Sequence, residues 1–298
     1  MTPGQLMGSV GYYDVPTLKR PKWKEEIVFY FFFEGISAGA FILAGLADLL
    51  ARDRYPDLVR RGRYLAIATL APCPPLLIAD LGRPERFLHM LRIVKHTSPM
   101  NTGAWALTGY GICAAALAGR QTDARLFRLL RWVPPRLAFL VGLPFALTML
   151  AYPGVLLSAT SNPAWDHTHV LGALFTASSM SAAAAALSLL NPGAPVLHNV
   201  ESLANVCEAG AFAAFLATSP ERIAPISRTA QVALSAAPTL LRLVAPKRKR
   251  ALFGAVGSLL TLAGALALKW AITRAGQSAA ATSRPNRVAE PSIRKGIR

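Results

Sequence analysis

Tyr64-Leu-Ala-Ile-Ala-Thr-Leu-Ala-Pro-Cys-Pro-Pro-Leu-Leu-Ile-Ala-Asp-Leu-Gly-Arg-Pro-Glu-Arg-Phe-Leu-His89 is an apolar run that stops abruptly in a cluster of acids, arginines and a histidine. A membrane-spanning helix needs roughly 20 mostly apolar residues, and residues 64–81 come close to that length. Pro72, Pro74 and Pro75 free backbone carbonyls inside the run, which a bilayer tolerates only beside protein or a polar cavity. The span is therefore expected to line a cavity. Residues 80–89 then place ionisable groups of both signs at a membrane edge, where they are costly, and Gly82 and Pro84 break the helix between them. That combination reads as a site rather than a spacer.

Working outward, similar apolar blocks recur along nearly the whole chain of 298 residues, 53% of which are hydrophobic. Spans are expected at 26–50, 64–81, 102–118, 137–158, 170–190, 200–218, 226–244 and 252–272. The fold class is all-α: a polytopic membrane protein of about eight transmembrane helices, which allows two four-helix bundles. Residues 1–25 form an N-terminal extramembrane segment and 26–273 the transmembrane domain, with halves at about 26–158 and 168–273. Residues 274–298 are expected to be a disordered basic tail. The seventh span is the weakest, because it carries Arg228 and Gln231. Residues 1–14 lack the positive start and apolar core of a signal peptide, so the first span is expected to be retained.

The net charge of +17 raises the question of nucleic acid, but the Lys and Arg residues lie between the apolar blocks, where they fix membrane topology. A lipid bilayer is the expected partner, and nucleic acid is not. Cys73, Cys113 and Cys207 fall inside apolar blocks without metal-ligand spacing, so they read as small buried hydrophobes. Haem would need paired histidines within spans, and the five histidines lie in loops or at span edges. No Walker loop, Rossmann glycine pattern or nucleophile elbow occurs.

Eight spans put both termini on one face, here called face A, with the loops after spans two, four and six. Face B holds the arginine-rich loops around 52–63 and 120–131 and the run Lys247-Arg-Lys-Arg250. The cation balance makes face B cytoplasmic and the termini non-cytoplasmic. Glu34 lies about two turns inside span one from face A. Asp80, Arg83, Glu85, Arg86, His89, Arg92 and His96 gather on face A, as do Asn101 and Trp105 at the start of span three and the loop holding His167 and His169.

Acids, histidines and an indole beside an apolar cavity suit a flat apolar ring with oxygens that gain or lose protons, as in a quinone. Asp80 and His89 are the first candidates for hydrogen bonding or proton exchange with it, and Glu34 for a relay behind them. Trp105, Asn101, Arg83 and Tyr152 are candidates for holding the ring. Glu208 in span six and Asp48 near the face B end of span one extend a proton path. Plainer readings stand beside these: Asp80 with Arg83 as a helix-end ion pair, and His89 facing a partner. No pattern for holding a redox centre of its own is present in the sequence. If the protein handles electrons, another subunit delivers them, and residues 80–100 are the docking element, with Arg83, Glu85, Arg86 and Arg92 as its contacts.

At these residues the sequence resembles the NrfD/PsrC family, the integral membrane subunits of polysulfide reductase-like and nitrite reductase-like complexes. Asp80-Leu-Gly-Arg-Pro-Glu-Arg-Phe87, followed by Ser98-Pro-Met-Asn-Thr-Gly-Ala-Trp105, is similar to the family's signature. Glu34-Gly-Ile-Ser-Ala-Gly-Ala40 resembles its small-residue motif in span one, and Pro153-Gly-Val-Leu-Leu-Ser-Ala-Thr160 with Leu171-Gly-Ala-Leu-Phe175 resembles its spans four and five. The resemblance implies an eight-helix, quinone-interacting anchor that binds menaquinone or ubiquinone and holds no haem or metal. It also implies a ferredoxin-like iron-sulfur partner and a catalytic subunit that is a molybdopterin enzyme or a multihaem cytochrome. The quinone site is then expected in the N-terminal half. Two rivals remain: a secondary transporter with a substrate site at the broken second span, and a purely structural anchor.

Overall fold

A computed structural model describes residues 23–81, 85–92, 94–95, 97–121, 132–160, 162, 164–165, 170–218 and 225–282. Ten α-helices account for nearly all of them: α1 (Glu25–Leu50), α2 (Pro56–Leu70), α3 (Cys73–Leu81), α4 (Glu85–Arg92), α5 (Pro99–Gly119), α6 (Pro135–Ser158), α7 (Val170–Leu190), α8 (Pro195–Thr218), α9 (Pro225–Val244) and α10 (Arg250–Thr282). Proline opens α2, α5, α6, α8 and α9. Its fixed φ suits the first helical turn, where the missing N–H is not needed.

Among the described residues, six segments are long and apolar enough to cross a membrane: Glu25–Leu50, Pro56–Leu81, Pro135–Ser158, Val170–Leu190, Pro195–Thr218 and Arg250–Ser278. The second of these joins α2 to α3. Helices α5 and α9 reach spanning length but fall outside that apolar set. The sequence of α9 shows why, since Gln231, Ser235 and Arg242 interrupt it.

Helix α1 is buried nearly all round and packs against α2, α3, α6, α7 and α10. Its glycines permit this. A Cβ on Gly35 would sit 2.3 Å from Ser179 Oγ, and one on Gly39 would sit 2.5 Å from the Ala183 Cβ, so α1 and α7 meet backbone to backbone. Small residues four apart are how membrane helices approach closely when no hydrophobic effect draws them together. Gly39→Ala is therefore expected to cost about 1–3 kcal/mol by overpacking. Adding Ala183→Gly should recover most of the loss, as read by thermal unfolding in detergent.

The prolines break span two where expected, at Ala71 and Pro72 between α2 and α3. They cannot donate to the carbonyls of Ala68, Leu70 and Ala71. One turn earlier the wall is tied to α1, because Ser37 Oγ lies 2.6 Å from the Ala66 carbonyl and 2.6 Å from the Tyr110 hydroxyl.

Two expectations change. The last helix runs on through Arg274 to Thr282, so the basic tail does not begin at Arg274. Contacts to the start of the first helix hold it: Arg274 pairs with Glu25 at 3.1 Å, and Gln277 Nε2 donates to the Trp23 carbonyl at 2.6 Å. Residues 283–298 lie outside the described residues. Cys73 and Cys113 are buried, but Cys207 is exposed on the outer side of α8.

Candidate functional site

A small cavity of about 60 Å³ lies at the face A end of the N-terminal helices. Trp23, Ile27 and Tyr30 line it from the α1 side, Leu77 and Asp80 from α3, Gly103 and Leu107 from α5, and Tyr152 and Leu156 from α6. Apolar groups dominate, with one carboxylate and two phenols set among them. A Cβ on Gly103 would sit 2.2 Å from Tyr152 Cζ, so the phenol can lie against α5 only because residue 103 lacks a side chain. On the far side of Tyr152 a wider cleft of about 410 Å³ opens between α5 and α6, lined by Thr102, Thr148, Ala151 and Val155. Tyr152 is the residue shared by both spaces.

Asp80 has a structural bond as well as a place in the cavity wall. Its Oδ1 accepts from the Lys24 backbone amide at 3.0 Å. Lys24 is the residue that caps α1, so the carboxylate satisfies an amide that the helix leaves open and meets the positive end of its dipole. Arg83, the expected ion-pair partner of Asp80, lies outside the described residues.

Glu34 lies one turn beyond Tyr30 on the same face of α1 and is fully buried. Neither carboxylate oxygen has a partner at full hydrogen-bond geometry, and the Tyr30 hydroxyl is the polar group that couples to it most directly. Lys269 of α10 is also buried, with Nζ 3.2 Å from Ser178 Oγ, and it interacts electrostatically with both Glu34 and Glu208. Glu208 in turn accepts from Ser181 at 3.0 Å, Gln231 at 2.9 Å and Ser235 at 3.2 Å. Behind the cavity, Glu34 is thus coupled electrostatically to Tyr30 on one side and, with Glu208, to the buried Lys269 on the other.

The other sequence candidates spread out. His89, Glu85 and Arg92 are exposed on α4, away from the cavity wall. Arg86 belongs to α4 by its backbone. Trp105 is 37% exposed and does not line the cavity. Asn101 is buried at the start of α5, where its Oδ1 accepts from the Lys95 amide at 2.6 Å. Asp48 is held by Arg63 at 3.0 Å and Arg52 at 3.4 Å near the face B end of α1, in a cluster of its own. His96, His167 and His169 lie outside the described residues. Among those described, no three His, Cys, Asp or Glu side chains come together as a metal site.

Trp23, Tyr30 and Gly103 are wall residues that the sequence reading did not single out. Tyr30 had a signal, since it stands four residues before Glu34 and a helix puts both on one face. Trp23 had none within its own segment. It stacks on Trp165 with ring centroids 5.4 Å apart, and Trp165 Nε1 donates to the Ile272 carbonyl at 2.8 Å. That wall is assembled from three distant parts of the sequence.

The family model for polysulphide reductase, NrfD, matches residues 16–205, a stretch that contains every residue of the cavity wall. The chain belongs to the NrfD family. Among curated relatives, this NrfD protein is 29% identical over 192 residues to the C chain of the polysulfide reductase of Wolinella succinogenes, covering 60% of this chain and 59% of that protein. It is 30% identical over 88 residues to the C subunit of the selenate reductase of Mesobacillus selenatarsenatis, covering 30% of this chain and 20% of that protein. The C membrane subunit of a putative dimethyl sulfoxide reductase of Halobacterium salinarum is 28% identical over 115 residues, covering 37% of this chain and 26% of that protein. The matches thus span less than two thirds of the relatives' own lengths.

Proposed function

We propose that this NrfD protein is the quinone-reactive membrane subunit of a respiratory oxidoreductase, exchanging electrons between the quinone pool and an iron-sulfur partner. The carrying observation is the face A cavity, whose walls are aromatic and apolar, whose carboxylate is Asp80, and behind which stands the buried, poorly partnered Glu34. The relatives, named as C components of reductases, support the same reading. Eight crossings in two four-helix bundles, α1 with α2–α3, α5 and α6, then α7 to α10, fit the packing. In this reading the membrane is the prokaryotic cytoplasmic membrane, and the catalytic partner is a molybdopterin enzyme or a multihaem cytochrome.

The wall residues fit a quinone. Trp23, Tyr30 and Tyr152 offer ring faces, and Asp80 and the phenols offer groups for its oxygens. At about 60 Å³ the cavity is small beside the roughly 300 Å³ at which ligand pockets begin, so a side chain of the wall moves to admit the ring, and Tyr152, which borders the adjoining cleft, is placed to do so. A quinone bound there takes up two electrons and two protons when it is reduced. Asp80 holds a proton at the wall, and Tyr30 and Glu34 resupply it from within, with Lys269 and Glu208 continuing the path. Asp48 belongs to a separate path at most, given its arginine partners. Helix α4, with Glu85, His89 and Arg92 exposed on the same face, is the docking element for the iron-sulfur partner.

Asp80→Asn tests the wall in the assembled complex. Asn keeps an oxygen to accept from the Lys24 amide, so folding should hold while proton exchange is lost. Quinone-dependent turnover is expected to fall about 10- to 100-fold, with the thermal midpoint nearly unchanged. Unchanged turnover would remove Asp80 from the reaction and leave it as the cap of α1.

A further inference from the structure

On face B, remote from the cavity just described, the ends of α8, α9 and α10 enclose a space of about 600 Å³. Its polar lining is His198, Asn199 and Ser202 from α8, Thr239 and Arg242 from α9, and Arg250 from α10. No acid lines it. The nearest, Glu201, is fully buried below, where Arg242 meets it at 2.5 Å, Ser258 at 3.0 Å and Thr261 at 2.8 Å. Those bonds hold the Arg242 guanidinium in place from beneath. Arg250 has no carboxylate partner among the described residues, and Arg248 and Lys249 stand exposed beside it. His198 Nδ1, Thr239 Oγ1 and Arg242 Nε find no hydrogen-bond partner within the fold.

We propose that this space binds a phosphate-bearing anion, presented as the headgroup of an anionic phospholipid. The lining offers Arg250, whose charge no carboxylate of the described residues neutralises, the unpartnered Nε of Arg242 and neutral donors, and phosphate oxygens need donors of this kind. A second observation favours lipid over free anion. Directly below the basic rim, Leu252, Val256 and Leu259 form an exposed stripe along α10, and Leu243 and Val244 are exposed at the end of α9. A headgroup in the pocket would lay its acyl chains on these faces, and a basic segment at a helix end attracts anionic headgroups.

The full-length protein in nanodiscs tests this by native mass spectrometry and thermal shift, with phosphatidylglycerol, phosphatidylcholine and inorganic phosphate as separate probes. Phosphatidylglycerol should be retained at least about tenfold over phosphatidylcholine, and millimolar inorganic phosphate should compete weakly. Arg250→Glu, an exposed change that spares the fold, should cut that preference about fivefold or more. Arg136→Glu, exposed elsewhere on face B, should leave it intact. An equal loss in both variants would overturn the site in favour of diffuse surface charge. Absence of any preference would overturn it too. Binding of inorganic phosphate as tight as the lipid's would overturn the lipid assignment and leave a free-anion site.

Discussion

Glu34→Gln lowers quinone-linked turnover of the assembled complex about 100-fold or more, the range expected when a positioned proton carrier is removed. Gln fills the same volume in α1 and keeps hydrogen-bonding capacity toward Tyr30, but it neither takes up nor releases a proton. The carboxylate is fully buried one helical turn from Tyr30 of the cavity wall, so water cannot replace it without opening the core. The expected signature is a fall in kcat with little change in KM, because Glu34 stands behind the cavity and does not line it. Activity of the catalytic partner with a soluble dye donor should stay at the wild-type level, confining the loss to the membrane step. Full quinone-linked turnover in Glu34→Gln would sink the relay.

Arg242→Ala destabilises the C-terminal half by about 3–5 kcal/mol, the usual consequence of leaving one member of a buried ion pair alone. Glu201 is fully buried, and among the described residues Arg242 is the close cation, with His198 farther off at 4.0 Å. Ser258 and Thr261 would still donate to it, so the charge would keep two hydrogen bonds and lose its counter-ion. Thermal unfolding of the protein in detergent should show the full loss. Replacing both partners, as Arg242→Met with Glu201→Met, should restore most of it, since an apolar pair of similar volume carries no desolvation penalty. A single variant that unfolds at the wild-type temperature would mean that the pair adds nothing to stability.

Much of the helical order was legible from hydropathy alone. Residues 170–190 coincide with α7, and the first span misses α1 by one residue, because apolar runs of that length have no other stable form in a bilayer. Boundaries slipped where polar residues extend a helix into contact with protein. Helix α8 begins at Pro195 rather than near Val200, and α10 outruns the apolar block because Arg274 and Gln277 find partners on the first helix and its lead-in. The wall was legible only in part. Asp80 and Tyr152 line it, whereas Trp105 stands on an outer side of α5, a difference of rotation about the helix that hydropathy does not encode.

The sequence by itself determined that the protein is built of membrane helices, that the second is broken by its prolines, and that acids gather where it ends, because span length and the cost of stranded charge are local properties. It also carried the family signature. Only the tertiary structure decided which side chains meet. It joined Asp80 to the start of α1, set Trp23 against Trp165, and buried Glu34, Lys269 and Glu208 of three helices where they interact electrostatically. These contacts depend on how each helix is rotated and how closely its neighbours approach, and at Gly35 and Gly39 that approach is fixed by the absence of a side chain.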